Sequence, residues 1–173
     1  MIFKRFIGII ILSIFIFTGC SNDTSFPADN STAHDSKITE SYNQKRGEEF
    51  ILSLVGYDEA YISRHYKGYE GHKGTDIVSP EGKYIYAAAD GTVSRTVKMN
   101  MGYGIHCIID HGDYKTLYAH CSELLVEEGA EVSQGQIIGK VGNTGNSTGP
   151  HLHFEVYTET NGERINYDPV KWF

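Results

Sequence analysis

The chain has 173 residues, with 22 acidic and 15 basic side chains and a formal net charge of −7 at pH 7. This length allows one domain with appendages. The acidic balance argues against nucleic acid as a partner, because there is no basic surplus to displace counterions. Charge alone does not separate the remaining classes of protein.

A short basic start and an apolar run open the chain. Lys4 and Arg5 precede an almost unbroken apolar segment over 6–17, which is too short for a comfortable membrane span. The segment ends in Phe17-Thr18-Gly19-Cys20, which resembles a bacterial lipoprotein signal, although Phe17 replaces the usual aliphatic residue. The resemblance implies removal of residues 1–19 and a lipid anchor on Cys20. The alternative is an uncleaved N-terminal anchor, and either reading places the remainder outside the cytoplasmic membrane.

The next two segments differ in composition. Residues 20–45 are rich in Ser, Asn, Asp and Thr without apolar periodicity, which predicts a disordered tether. Over 46–65 an apolar stripe of Phe50, Ile51, Leu54 and Val55 predicts a short helical lead-in.

From residue 66 to residue 173 short β-prone runs alternate with glycine-containing turns. This pattern predicts an antiparallel β-sheet or sandwich without a long helix. The predicted strands are Tyr84–Ala89, Thr92–Val97, Tyr103–Asp110, Tyr114–His120, Gln136–Val141 and His151–Tyr157.

The last of these strands carries two histidines on one face. His151 and His153 alternate with Leu152 and Phe154, as in a half-buried strand with an apolar face and an open polar face. The two imidazoles would lie about 6–7 Å apart along the strand. One metal ion could not easily bind both. We therefore expect one histidine on a metal and the other beside it, facing whatever the metal activates.

Two further motifs could complete such a site. His72-Lys-Gly-Thr-Asp76 offers an imidazole and a carboxylate, which suit Zn²⁺; its glycines favour an irregular segment that enters a strand. The strand that ends in His120 is expected to place Thr116, Tyr118 and His120 on one face. Taken alone, each motif is more typical of a surface or structural histidine.

The combination is far more specific than its parts. In this order, and within about 80 residues, these motifs closely resemble the zinc metallopeptidases of the lysostaphin and LytM type, peptidase family M23. The resemblance runs from about residue 68 to residue 172. Thr75 and Cys121 depart from it, where the family usually carries aliphatic residues. The matching segments are Gly71–Ile77, Ala88–Val93, Asp110–Gly112, Leu117–His120, Gly135–Gly139 and Ser147–Glu155.

The resemblance implies a barrel-like sandwich of the duplicated-hybrid-motif type and a role for each residue. His72, Asp76 and His153 would bind one Zn²⁺ and leave a fourth position for water. His120 and His151 would be the two unligated catalytic histidines, one taking a proton from the water and one stabilising the oxyanion.

The implied activity is hydrolysis of peptide bonds in peptidoglycan, in stem-peptide crosslinks or in glycine-rich bridges, by a protein expected to be a monomer. The alternative is a non-catalytic module of the same family that binds peptidoglycan or regulates another cell-wall hydrolase. We expect substrate choice to depend on the connections near Asn100, over 124–132 and over 142–149. The last of these lacks the lysine of a phosphate-binding loop.

Cys107 and Cys121 could form a disulfide in an exported protein. If Gly112-Asp113 turns a hairpin, Cys107 lies opposite Tyr118, about 10 Å along the strand from Cys121. We therefore expect two reduced, buried thiols. His65, His106 and His111 are predicted to have no substrate role.

Overall fold

The computed structural model describes residues 31–173, so the predicted signal segment and Cys20 lie outside the described residues. The prediction of a mainly antiparallel β chain with an N-terminal helix is confirmed. No helix in the described part is long and apolar enough to cross a membrane. The elements in chain order are α1 (Ser31–Leu52), β1 (Tyr61–Arg64), β2 (Thr75–Val78), β3 (Tyr84–Tyr86), β4 (Gly91–Val97), β5 (Ile105–Asp110), β6 (Lys115–Leu124), β7 (Glu131–Val132), β8 (Ile137–Val141), β9 (His151–Thr160), β10 (Glu163–Tyr167) and α2 (Pro169–Trp172).

The strands form one antiparallel sheet in the order β1-β2-β9-β6-β5-β4-β7. β10 pairs with the second half of β9, and β8 pairs with both β3 and β6. β9 therefore lies inside the sheet, between β2 on one side and β6 on the other. This central position makes the strand that carries His151 and His153 one of the most constrained parts of the molecule.

All six predicted strands are present, although β3 and β5 are shorter than predicted and β6 and β9 are longer. The sequence patterns indicated β2 only as a strand entered by the His72–Asp76 segment, and they did not predict β1, β7, β10 or α2. These elements span two to five residues each. Alternation over so few residues gives a weak signal, since apolar periodicity needs several repeats to stand out.

The sheet buries apolar residues on both faces. The main core lies on the face that carries Leu152, Phe154 and Tyr118. On the opposite face Leu117, Ala119 and Tyr157 form a smaller cluster. His153 and Ala119 are direct partners across β9 and β6, so His153 lies on the face of the smaller cluster. The open polar face predicted for β9 is therefore wrong, because His153, Glu155 and Tyr157 are all buried.

Helix α1 differs from the prediction at both ends. It begins at Ser31, inside the predicted disordered tether, and it ends at Leu52 instead of continuing toward residue 65. Residues 31–46 contain no glycine or proline, and Lys, Glu, Gln and Arg are good helix formers. The helix was predicted from an apolar stripe, and this stripe is present only in the last turns of α1. There the helix docks, with Phe50 stacked on Phe173 at 4.4 Å between ring centroids.

The hairpin prediction for the cysteines is confirmed. Cys107 is the partner of Tyr118 across β5 and β6. Both Cys107 and Cys121 are free and buried. Burial raises the pKa of the Cys107 thiol to about 12, so this thiol is not a reactive nucleophile.

Candidate active site

Two neighbouring strands bring the first three residues together. Asp76 on β2 is the direct partner of His153 on β9. His72 precedes β2 in an irregular segment, as the glycines of its motif predicted. Gly74 lies between the two residues, where an added Cβ would overlap the carbonyl oxygen of Phe154. Only a glycine lets the chain pass this close to β9 and turn His72 toward Asp76.

The polar atoms of this trio converge on one point. Nε2 of His72 lies 3.1 Å from Oδ1 of Asp76, and Nδ1 of His153 lies 2.6 Å from the same oxygen. One ligand atom from each residue lies within 4.8 Å of the others, and all three residues are buried. Two imidazole nitrogens and a carboxylate oxygen form a donor set that fits Zn²⁺ and leaves positions open.

Contacts behind the trio fix which ring nitrogen faces inward. Nδ1 of His72 donates to the carbonyl of His65 over 2.9 Å, because a carbonyl can only accept. On His153 the far nitrogen, Nε2, lies 2.9 Å from Oε1 of Glu155. Such outer contacts orient ligand imidazoles and raise their basicity. They leave Nε2 of His72 and Nδ1 of His153 directed at Asp76.

Glu155 is the functional residue that sequence reasoning missed. Its side chain is fully buried, and it accepts hydrogen bonds from Tyr103 over 2.5 Å and from Asn166 over 2.8 Å. Arg164 forms an ion pair with the same carboxylate. Burial alone would raise the pKa of Glu155, but His153, Tyr103 and Arg164 hold it well below its ordinary value. Its position two residues after His153, on the same face of the strand, could have indicated that Glu155 contacts this histidine.

His120 and His151 form a second pair beside the trio. Their ring centroids lie 4.7 Å apart. Nδ1 of His120 donates to the carbonyl of Thr144 over 2.7 Å, and Nδ1 of His151 donates to that of Gly149 over 2.8 Å. In its neutral tautomer, each ring therefore has a bare Nε2. Nε2 of His151 lies 3.9 Å from Oδ1 of Asp76.

A β-bulge turns His120 toward this site. Between the pairs Ile105–Cys121 and Cys107–Tyr118, β5 has one residue whereas β6 has two, Ala119 and His120. His120 has a φ of 61°, in the left-handed region, where a residue with a bulky side chain is uncommon. The prediction that His120 shares a face with Tyr118 is wrong, because the bulge breaks the alternation.

Acid–base behaviour separates His153 from His120. Burial alone would lower the pKa of His153, but its contacts with Asp76 and Glu155 outweigh burial and raise it to about 9. Burial lowers the pKa of His120 to about 4, opposed only in part by its bond to Thr144. In the metal-free chain the His153 ring is therefore protonated near pH 7, whereas the His120 ring is neutral.

A groove of about 510 Å³ opens over the site. Arg64, Lys73 and Tyr69 contribute to one part of its lining, and Asn146, Ser147 and Thr148 to another. The loop over 142–149 thus rims the groove, as does Gly102 near Asn100. The connection over 124–132 does not contribute to this lining.

The structure brings together every residue that the sequence selected for the site: His72, Asp76, His120, His151 and His153. His65, His106 and His111 do not line the groove. His65 supports the site only through its backbone carbonyl.

Comparison with known proteins agrees with this arrangement. The family model described as Peptidase family M23 matches residues 70–167. This span covers more than half of the chain, and the chain belongs to that family.

Three relatives place the chain within the family. Peptidoglycan DD-endopeptidase ShyA of Vibrio cholerae is 48% identical over 87 residues, which are 49% of this chain and 20% of that protein. Murein hydrolase activator NlpD of Salmonella dublin is 45% identical over 87 residues, 50% of this chain and 23% of that protein. A zinc-containing peptidase from Vibrio cholerae superposes with a TM-score of 0.59 and 32% identity, over 69% of this chain and 39% of that one. The chain spans about a fifth of the length of the curated relatives it matches.

Proposed function

We propose that this chain is a zinc-dependent endopeptidase that hydrolyses peptide bonds of peptidoglycan. One observation carries the proposal. A buried His-Asp-His donor set lines the same groove as two further imidazoles whose Nδ1 atoms donate to backbone carbonyls. A binding module has no need for both sets together, whereas a hydrolase needs a metal site and a base within reach of each other.

His72, Asp76 and His153 are the residues that would hold one Zn²⁺. When bound, the ion would polarise the scissile carbonyl and lower the pKa of a water molecule. This chain's own part is to keep the three donor atoms fixed. The carbonyl of His65 and the carboxylate of Glu155 do so from behind the two imidazoles.

The other two histidines, His120 and His151, would transfer protons. We assign His151 as general base, because its bare Nε2 lies close to Asp76 and its Nδ1–H is held by Gly149. After accepting a proton, the ring can donate it to the leaving amine. His120 is assigned to the developing oxyanion. The attacking water has two protons, of which His151 would take one. His120, with its Nδ1–H bound to Thr144, would accept the other on Nε2 and donate from there to the oxyanion.

The proposed place of action is outside the cytoplasmic membrane, with Cys20 as the lipid-bearing residue. Peptidoglycan is found there, and the relatives named above are described as a peptidoglycan endopeptidase and a murein hydrolase activator. The proposed chain acts as a monomer on peptidoglycan peptides.

A second candidate function is a non-catalytic activator of another cell-wall hydrolase. The observation that favours it is the 45% identity to a relative named as a murein hydrolase activator. The two functions differ in one respect that can be measured directly, because an activator alone releases no fragments from purified cell wall.

Digestion of purified sacculi tests the proposal. Metal-replete protein should release fragments with new amine termini, identified by chromatography and mass spectrometry. His120→Ala and protein stripped of metal with a chelator should release far less. The enzyme reading fails if wild-type protein releases nothing, or if His120→Ala releases as much as wild type. Stimulation of a separate hydrolase by inactive wild-type protein would instead establish the activator.

A further inference from the structure

Arg64 is placed at the site by a local irregularity of the edge strand β1. Ile62 is the partner of Ile77, and the next pair is Arg64 with Asp76, so Ser63 is an extra residue in β1. In a regular pairing Ser63 would lie opposite Asp76. β-bulges next to functional sites commonly re-aim a side chain. Here the bulge brings a cation beside a proposed metal ligand.

The guanidinium of Arg64 is held in a defined position. Its Nη1 lies 3.1 Å from Oδ2 of Asp76, the oxygen that the two imidazoles do not contact. Its Cζ lies 5.1 Å from the ring centroid of Tyr69. Its stem passes Gly68, where an added Cβ would lie 2.7 Å from Cγ of Arg64. The side chain is therefore oriented in advance, at low entropic cost for a ligand.

Most of this guanidinium remains available to a ligand. The Arg64 side chain is 50% exposed and lines the groove. A guanidinium has five N–H donors, and only Nη1 has a hydrogen-bond partner among residues 31–173. A group that served only to neutralise Asp76 would not need to present its other donors to the open groove.

The charged side chains that line the groove are balanced in number, two cations against two acids, but both acids already have partners. Its cationic side chains are Arg64 and Lys73, and its acidic side chains are Asp76 and Glu155. Both acids are engaged, Asp76 by the imidazoles and Arg64, and Glu155 by Arg164 and other donors. Lys73 is exposed and has no salt bridge within the described part of the chain. Lys73 therefore remains available to an anionic ligand, beside the free donors of Arg64.

The two kinds of peptidoglycan crosslink differ in charge at this position. In a glycine bridge the scissile amide is followed by another neutral amide. In a crosslink between two D-centres, the carbon that bears the scissile nitrogen also carries an ionised carboxylate. Arginine binds a carboxylate through paired, charge-assisted hydrogen bonds, so a fixed guanidinium next to the reacting bond favours the second kind.

We propose that Arg64 is a specificity-determining residue that binds a carboxylate adjacent to the scissile amide nitrogen, with Lys73 adding to the attraction. The substrate is then an anionic stem-peptide crosslink and not a glycine-rich bridge. This inference rests on the proposed hydrolase function and chooses between the two bonds that function allows.

A matched pair of substrates tests it. Both are acyl-D-alanyl amides of a D-amino acid, one with a free α-carboxylate and one with a carboxamide, and pentaglycine is a third substrate. Wild-type protein should prefer the carboxylate by about 10- to 100-fold in kcat/KM, the range for a hydrogen bond to a charged group. Arg64→Gln should bring that ratio close to one, Arg64→Lys should give an intermediate ratio, and Lys73→Gln should lower it several-fold.

The matched control is Arg95→Gln. Arg95 is exposed on β4 and does not line the groove, so this variant should keep the wild-type ratio. Zinc content is measured for every variant. If Arg64→Gln binds no metal, the inference is tested with Arg64→Lys and Lys73→Gln, through the ratio of kcat/KM for the carboxylate to kcat/KM for the carboxamide.

Several results would overturn the inference while leaving the proposed function intact. They are equal cleavage of the two amides by wild type, faster cleavage of pentaglycine, or an equal loss on both amides in Arg64→Gln. The last result would show that Arg64 only positions Asp76. Cleavage of none of the three substrates and no release from sacculi would overturn the proposed function itself, and the inference with it.

Discussion

The two groups of histidines in this site are held in different ways. His72 and His153 lie against the carboxylate of Asp76, on and beside paired strands, and His153 is backed by a second buried carboxylate, Glu155. His120 and His151 donate instead to backbone carbonyls of the loop over 142–149. His153 lies between two carboxylates, which raise its pKa and favour a positive charge at that position. Burial instead lowers the pKa of His120, so this ring is neutral near pH 7 and can accept a proton.

The largest expected effect comes from the residue that links the first group. Asp76→Ala removes the oxygen that both ligand imidazoles face, so the protein should lose its bound zinc and its activity should fall to background. Metal content by mass spectrometry and release of fragments from sacculi measure the two losses. Asp113→Ala, in the exposed turn between β5 and β6, is the control and should change neither. Retained activity in Asp76→Ala would contradict the ligand assignment.

Displacing the loop over 142–149 should reduce the activity that depends on His120 and His151. Gly145 has a φ of 72°, and an added Cβ would overlap the backbone of Gly104. Gly145→Ala should therefore displace the carbonyls that hold His120 and His151. A shift of about 1 Å in such groups can cost about 100-fold in rate, so kcat should fall by that order while zinc stays bound.

Gly129→Ala is a matched control for this change. Gly129 also has a positive φ, 88°, but a Cβ there meets nothing within 4 Å. The control should bear the same backbone strain and keep full activity. Loss of zinc in Gly145→Ala, together with its activity, would show that the two groups are not held independently.

A smaller effect is expected from the carboxylate behind His153. Glu155→Gln keeps the shape of the side chain but weakens its hold on Nε2 of His153 and leaves Arg164 without its charge partner. Zinc affinity should fall by about 10- to 100-fold, as for other outer partners of ligand histidines. A competition titration with a chelator measures it. Glu163→Gln on the exposed edge of β10 should have wild-type affinity, and an unchanged affinity in Glu155→Gln would contradict the account.

The smallest effect is on the pH dependence of stability in the metal-stripped protein. The pKa of His120 is lowered by burial to about 4, whereas an unfolded histidine takes up its proton near about 6.5. The unfolded state therefore binds more protons in this window, and stability should decrease as pH falls from about 6.5 toward 4. The raised pKa of His153 acts in the other direction and at higher pH. Midpoints of thermal unfolding for wild type and His120→Gln test this, and equal slopes between pH 4 and pH 6.5 would contradict it.

The sequence predicted the chemistry of this site better than its geometry. His72, Asp76 and His153 were identifiable because their residue types and spacing are specific, and the strands were identifiable from alternation. Alternation also explains two failures. Both Arg64 and His120 reach the site through β-bulges, and a bulge leaves no mark in a pattern of period two.

Other parts were hidden for a different reason. The carbonyls of Thr144 and Gly149 orient two imidazoles, but every residue has a carbonyl and its direction depends on the folded loop. Arg164 reaches Glu155 only because β9 and β10 form a hairpin. Helix α1 was missed over 31–45 because its residues favour a helix by propensity without forming an apolar stripe.

The most direct test of the central claim compares zinc content and kcat in His151→Gln and His153→Gln. The account predicts that His151→Gln keeps about one zinc per chain while its kcat falls by about 10²- to 10⁴-fold, the contribution of a general base. His153→Gln should lose both the metal and the activity. Equal zinc content in the two variants, or activity retained in His151→Gln, would contradict the division between ligand and base.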